Sequence, residues 1–274
     1  MQIYAEAAPA LCLQAIAALA KQVLLDGITH LVVASCTGFV APGVDQIIAR
    51  TLGLAPSVER LLIGFMGCYA AITALRSARH IVRSQPNARV LVVCVELSTL
   101  HLQNVTEIEP LLAMLQFGDG AAAALVTAEP DGFAIGDPFA TTLPDSHELI
   151  RWDVTDTGFA MHLSGAVPSR IAAGLAVTEF AQAATGGRAP SEIDGWAVHA
   201  GGRSILDAVE SALNLSPTAL HDSRVVLRDF GNMSSATLMF VLARMLAGTP
   251  VRQGVALAFG PGLAAEGFGF SSAR

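Results

Sequence analysis

The stretch RLLIGFMGCYAAITALRSARHIV, residues 60–82, decides the fold. Its opening, residues 61–65, is short and apolar, the pattern of a buried strand. Gly67 permits a tight turn that a residue with a Cβ resists. From Tyr69 onward Ala70, Ala71, Ala74 and Ala78 favour helix and close packing. Arg76, Arg79, His80 and Arg83 follow in the second half, where a helix dipole favours cations. Cys68 then falls on the first turn of a buried helix. Free amide N–H groups and the positive dipole end favour a thiolate there, which makes Cys68 a candidate nucleophile. A packed, inert thiol accounts for this stretch equally well.

Working outward, the same strand-and-helix alternation fills the chain. Residues 8–24 read as a helix, His30–Ser35 as a buried strand, TGFVAPGVD (37–45) as a Gly- and Pro-rich loop, and residues 44–52 as a helix. RVLVVCVEL (89–97) is a continuous apolar run of the parallel-sheet kind. A short helix, EPLLAMLQ, precedes a turn and strand, FGDGAAAALVTA, and GFAIGDPFAT reads as a further strand. Around residues 141–160 the texture turns polar and turn-rich, which places a boundary between halves 1–142 and 143–274. Beyond it, residues 167–184 read as a helix, GWAVHAGG as a strand ending in a histidine and glycines, and residues 204–213 as a helix. Residues 224–230 read as extended, 234–246 as a helix, and 254–259 and 266–270 as strands. Such alternation predicts an α/β fold with helices covering the sheets.

The composition narrows the function. The chain of 274 residues is 53% hydrophobic and 14% charged, so much of it is buried, and some surface is expected to be covered in an oligomer. A formal net charge of −7 argues against a nucleic-acid partner. The charge-free run of residues 27–44 contains His30, Ser35, Thr37, Gly38, Pro42 and Gly43 and is a poor membrane span. The apolar patch at residues 11–20 has Glu6, not a basic flank, before it, unlike a signal peptide. A soluble cytoplasmic protein is expected. Cys12, Cys36, Cys68 and Cys94 show no CxxC spacing, so neither a metal site nor a disulfide framework is indicated.

Two more residues share the character of Cys68. His199 follows the strand GWAV and precedes Gly201 and Gly202, and Asn232 lies in DFGNMSSAT just before a helix start marked by Ser234 and Ser235. Alone, the histidine reads as a hydrogen-bonded structural residue and the asparagine as a helix cap. Together with Cys68 they suit acyl transfer. A thiolate accepts an acyl group, imidazole stabilises it, and imidazole and amide form two donors for an oxyanion. A Cys-His-Asn protease uses the same residue types.

The segments GCYAAITALRSAR, RVLVVCVEL, QFGDGAAAALV, WAVHAGGRSILDAVE, DFGNMSSAT and AFGPGLAAE, in this order, closely resemble type III polyketide synthases, the chalcone synthase family of the thiolase superfamily. The resemblance implies a thiolase-like fold of two pseudo-equivalent βα halves in a layered α-β-α arrangement. It also implies a homodimer acting on acyl-CoA and malonyl-CoA without metal or prosthetic group, with no nucleic-acid or membrane partner, by repeated decarboxylative Claisen condensation. Ketoacyl synthase III enzymes, which condense once, have a similar triad but different text around it. By the resemblance, Cys68 is the acyl-accepting nucleophile, and His199 and Asn232 activate it and hold the malonyl thioester. Phe117 matches a gatekeeper, and Met161, in GFAMHL, stands at a second gatekeeper position that is phenylalanine in the family. Cys36, Ser98 and His101 match cavity positions, Ser234 a serine behind the asparagine, and Ala41 a position reaching towards a partner. Relatives carry a further segment before the matched region. The first half is therefore expected to be incomplete at its N-terminus, with an unpaired gap in its sheet, and a non-catalytic remnant is the alternative to an enzyme.

Overall fold

In the computed structural model, which describes residues 1–156 and 158–273, the first half runs α1 (Gln2–Leu19), β1 (His30–Ser35), α2 (Val44–Thr51), β2 (Glu59–Gly64), a single helical turn (Gly67–Tyr69), α3 (Ala70–Ser84), β3 (Val90–Leu97), α4 (Ile108–Leu115) and β4 (Asp119–Val126). The second half runs β5 (Phe133–Thr142), β6 (Ile150–Thr155), β7 (Gly158–Leu163), α5 (Val167–Leu175), α6 (Thr178–Thr185), β8 (Gly195–Val198), α7 (Arg203–Ala212), α8 (His221–Phe230), α9 (Ser235–Leu246), β9 (Gly254–Gly260) and β10 (Ala264–Ser272).

The strands form two four-stranded sheets, ordered β2-β1-β3-β4 and β5-β10-β9-β8, and a separate hairpin, β6-β7. In the first sheet β1 lies parallel to both β2 and β3, while β4 is antiparallel to β3. In the second, β8 and β9 are parallel and β10 is antiparallel to both β9 and β5.

Period-two burial explains why both sheets are covered on both faces. On β3, Val90, Val92 and Cys94 face the middle of the molecule with α3 and α9. Leu91, Val93 and Val95 face the other way, against Tyr4, Ala8, Cys12 and Ile16 of α1 and Ile48 of α2. On β8, Ala197 joins the middle cluster, while Trp196 and Val198 pack outward with Ile171 of α5, Phe180 of α6 and Leu206 of α7. The result is five layers: helices, sheet, α3 with α9, sheet, helices. Small residues, among them Ala70, Ala74, Ala78 and Ala236, let the middle helices sit between the two sheets. Thr73 and Arg76 of α3 bond Glu266 of β10 at 2.9 and 3.0 Å, joining the halves.

Several expectations from sequence are corrected. The first helix spans Gln2–Leu19, not 8–24. It is long and apolar enough to cross a membrane by length and composition, yet its Tyr4, Ala8, Cys12 and Ile16 are buried against the sheet. The strand before Cys68 is not a buried one: it is a sheet edge, with Leu61, Leu62 and, just beyond it, Phe65 at 41, 47 and 45% exposure. Residues 167–184 form two helices, because Val177 is extended between them. Residues 224–230, read as extended, are helical: Val225 and Val226 are buried, and Asp222 and Arg228 sit at the dipole-favoured ends. Strand β5, which precedes the expected boundary after residue 142, pairs with β10 of the second sheet. In the first sheet β1 pairs directly with β3, and the outer edge of β2 has no strand partner among the described residues. Finally, the polar stretch at residues 141–160 holds the hairpin strands β6 and β7.

Candidate active site

Cys68 lies in the helical turn between β2 and α3, as its glycine and alanine context predicts. Gly67 sits at φ +72°, and a Cβ there would meet Pro261 Cδ at 2.2 Å. The turn is thus pressed against the loop after β9. Gly260, the last residue of β9, leaves the Cys68 amide 3.3 Å from the place a Cβ would take. Cys36, at the end of β1, accepts a hydrogen bond from the Gly67 amide at 2.9 Å. Of the sequence-proposed cavity cysteines and serines, Cys36 therefore braces the backbone of the nucleophile's turn.

Asn232 and Ser234 approach Cys68 from the second half. Asn232 is pinned through its backbone: its N–H donates to Gln116 O and its C=O accepts from Gly118 N, both at 2.9 Å, which brings Phe117 alongside. Its side-chain amide donates to Gly201 O at 3.1 Å and accepts from the Ser234 amide at 2.8 Å. Ser234 holds φ +46°, ψ −125°, a strained conformation for a residue with a side chain. His199 is held at the end of β8 by its amide, which donates to Leu257 O at 2.8 Å. The bare Cα of Gly201 makes room for its imidazole, which lies 3.3 Å from the place a Cβ would occupy.

The electrostatics differ from the expectation of a stabilised thiolate. Burial pushes the Cys68 thiol up to about 11; Ser234 and Asn232 act in the opposite direction but do not offset it. Burial pushes His199 down to about 3. The resting pair is thiol and neutral imidazole. Among the described residues, the buried side-chain polar atoms without a hydrogen-bond partner are Ser98 Oγ, His199 Nδ1 and Nε2, Ser234 Oγ and Gln103 Nε2. Buried polar groups are normally satisfied. Three of these four residues are ones the sequence assigns to the site.

Glu96 was not singled out from sequence. It is fully buried in β3, and burial raises its carboxyl to about 7. It accepts from Cys36 N and Thr37 Oγ1, each at 2.9 Å, and from Ser235 Oγ across the boundary between halves. One acid inside an apolar strand was the available signal, because an unpaired buried charge is costly.

The remaining proposed cavity residues group around the β6-β7 hairpin. Met161 is half-buried on β7, opposite Trp152 on β6. Phe117 and Trp152 have ring centroids 6.4 Å apart. His101, matched to a cavity position, has both ring nitrogens engaged, with Thr37 O at 2.6 Å and Phe159 N at 3.1 Å. Ala41 is exposed on the loop before α2. Among the described residues no group of three or more His, Cys, Asp or Glu is arranged to hold a metal ion.

Comparison with known proteins agrees with this architecture. Residues 2–130 match the model of the N-terminal domain of chalcone and stilbene synthases, and residues 137–273 match that of the C-terminal domain. Over 255 residues the chain is 37% identical to the alpha-pyrone synthesis polyketide synthase-like Pks18 of Mycobacterium tuberculosis and of Mycobacterium bovis. The alignment covers 89% of this chain and 65% of those relatives, so the chain spans less than two thirds of their length. Among solved structures, PKS-I of the brown alga Ectocarpus siliculosus superposes with TM-score 0.83 at 35% identity, covering 89% of this chain and 69% of that one. The C-terminal type III polyketide synthase domain of Steely1 from Dictyostelium superposes with TM-score 0.88 at 30% identity, covering 97% and 77%. With both domain models matched in order and the thiolase-like layers in place, the chain belongs to the chalcone and stilbene synthase family, the type III polyketide synthases.

Proposed function

We propose that this chain catalyses decarboxylative condensation of malonyl-CoA onto an acyl group carried by Cys68, repeated to give a short polyketide. The observation that carries this reading is the concentration of unpartnered buried polar atoms on Ser98, His199 and Ser234. A fold that satisfies nearly all its other buried polar groups leaves these free for a ligand.

In the first step the Cys68 thiol attacks an acyl-CoA carbonyl. Its proton passes to the neutral imidazole of His199 and on to the departing CoA thiolate, leaving an acyl thioester on Cys68. Malonyl-CoA then loses CO2, and His199 and Asn232 hold the resulting enolate oxygen by hydrogen bonds. The enolate carbon attacks the Cys68 thioester, forming a carbon–carbon bond and releasing the Cys68 thiolate. The elongated CoA ester reloads the cysteine, and the chain finally closes to a pyrone, resorcinol or chalcone-type ring. The name of the mycobacterial relatives supports a pyrone, and the flexible Met161 at the gate supports aliphatic acyl starters. The reading includes a homodimer in the cytoplasm, CoA thioesters as substrates, and no metal or prosthetic group.

The test is purified protein with radiolabelled malonyl-CoA and a panel of acyl-CoA starters, beside Cys68→Ala. Product from more than one extension, lost in Cys68→Ala, is expected. A single-extension product would make the chain a ketoacyl synthase III-like enzyme. No product with any starter would make it a non-catalytic remnant.

A further inference from the structure

We propose that His101 is a positioning residue that latches the β6-β7 hairpin, and with it Trp152 and Met161, to the half of the molecule carrying Cys68. A two-stranded hairpin is marginal on its own in water, and among the described residues β6-β7 joins neither large sheet. Its Ile150, Met161 and Leu163 pack on the core of the second half, so what it needs is an anchor towards the half carrying Cys68. His101, in the turn after β3, supplies one. A carbonyl only accepts, so Nε2 carries the proton given to Thr37 O at 2.6 Å, and Nδ1 accepts from the Phe159 amide of β7 at 3.1 Å. One imidazole in one tautomer thus ties the loop after β1 to the hairpin.

The packing points the same way. The His101 ring stacks on Phe159 with centroids 4.3 Å apart and planes 12° apart, and Trp152 meets it edge-on at 6.1 Å. Gly158 is needed beneath it, since a Cβ there would lie 3.2 Å from Nδ1 at a φ of +146°. The latch also reaches the interior. Thr37, whose carbonyl takes the His101 proton, donates its hydroxyl to Glu96 and accepts from the Leu97 amide at 2.8 Å. Displacing the ring frees the hairpin at one end and loosens a partner of the buried Glu96 at the other. The consequence for substrate rests on the condensing-enzyme reading, because only then do Phe117 and Trp152 bound a cavity; the latch itself does not.

The test uses the fluorescence of Trp152, which requires no turnover and so stands apart from the activity assay. The other tryptophan, Trp196, is 3% exposed and shielded from acrylamide. In His101→Ala the acrylamide quenching constant of Trp152 should rise about threefold or more as the hairpin opens locally. In His101→Gln, whose amide offers one donor and one acceptor, it should return towards the parent value. If the alanine variant does not fold, Gly158→Ala perturbs the latch from the hairpin side and should raise quenching likewise. Unchanged quenching in His101→Ala, or in Gly158→Ala if it must stand in, overturns the proposal. Equal loosening in the alanine and glutamine variants also overturns it, because the ring stacking and not the paired bonds would then be the anchor.

Discussion

Glu96→Gln should make the protein more stable at mildly alkaline pH and nearly neutral in effect at acid pH. The parent carboxyl is lifted from an ordinary value of 4.5 to about 7, chiefly by burial. A group whose folded pKa is raised contributes stability that is fully present below its unfolded pKa and is lost as pH climbs through the folded value. The window therefore runs from about 4.5 to about 7, and each unit is worth about 1.4 kcal/mol. The whole shift amounts to about 3 kcal/mol, a sizeable share of the roughly 5–15 kcal/mol by which domains are stable. Glutamine copies the neutral acid. Its amide oxygen can accept from Cys36 N and Thr37 Oγ1, and its amide N–H can donate to the Ser235 hydroxyl, which turns to accept. Urea denaturation of parent and variant at about pH 5 and about pH 8, at fixed ionic strength, gives a double difference in which the other titrating groups cancel. The variant should gain about 2–3 kcal/mol relative to the parent between the two conditions. A double difference near zero, or one of opposite sign, refutes the claim that Glu96 is held neutral by burial.

Two further outcomes follow from the nucleophile's turn. Gly67→Ala forces a side chain onto a left-handed residue and into Pro261, adding about 1–2 kcal/mol of backbone strain to about 1–3 kcal/mol of overpacking; urea denaturation should show the loss, and a change under about 1 kcal/mol would mean the loop after β9 yields freely. Iodoacetamide should label Cys68 more slowly than an exposed thiol at neutral pH and accelerate towards a midpoint near 11, because burial holds the thiol protonated; rapid labelling with a midpoint below about 8 would show that His199 already shares the proton at rest.

The parts of the molecule legible in sequence are those governed by local rules. Apolar runs gave β1, β3 and β9, glycine and alanine gave the turn and helix at Cys68, and His199 and Asn232 stood out because each ends an element. What was missed depends on neighbours distant in the chain. Strand β2 reads as buried in isolation, and only its place at the sheet edge exposes it. Residues 224–230 read as extended, but they form helix α8, which buries Val225 and Val226, and β-branched propensity yields to such packing. Hairpin β6-β7 buries Ile150 and Phe159 but exposes Val154, so its pattern carries little core signal. Glu96 is a single letter whose role is set by Thr37 and Ser235, and His101, matched to a cavity position by resemblance, gives no sign in sequence of its bonds to Thr37 and Phe159.

The middle layer has a consequence for how such a protein can be recombined. Helix α3 comes from the first half and α9 from the second, and the two share one apolar cluster with strands from both sheets. Each half also has a core of its own on the outer face of its sheet, but the middle cluster belongs to both. Exchanging residues 1–130 for the matching segment of a relative 37% identical to this chain would leave every strand and helix pattern intact while mismatching side chains inside that cluster. Ala70, Ala74 and Ala78 of one half and Ala236, Leu238 and Met239 of the other must be inherited as a set. A splice at the breakpoint between the two domains thus divides the shared middle layer, which is inherited whole only together with the contact of Gly67 and Pro261 at its rim.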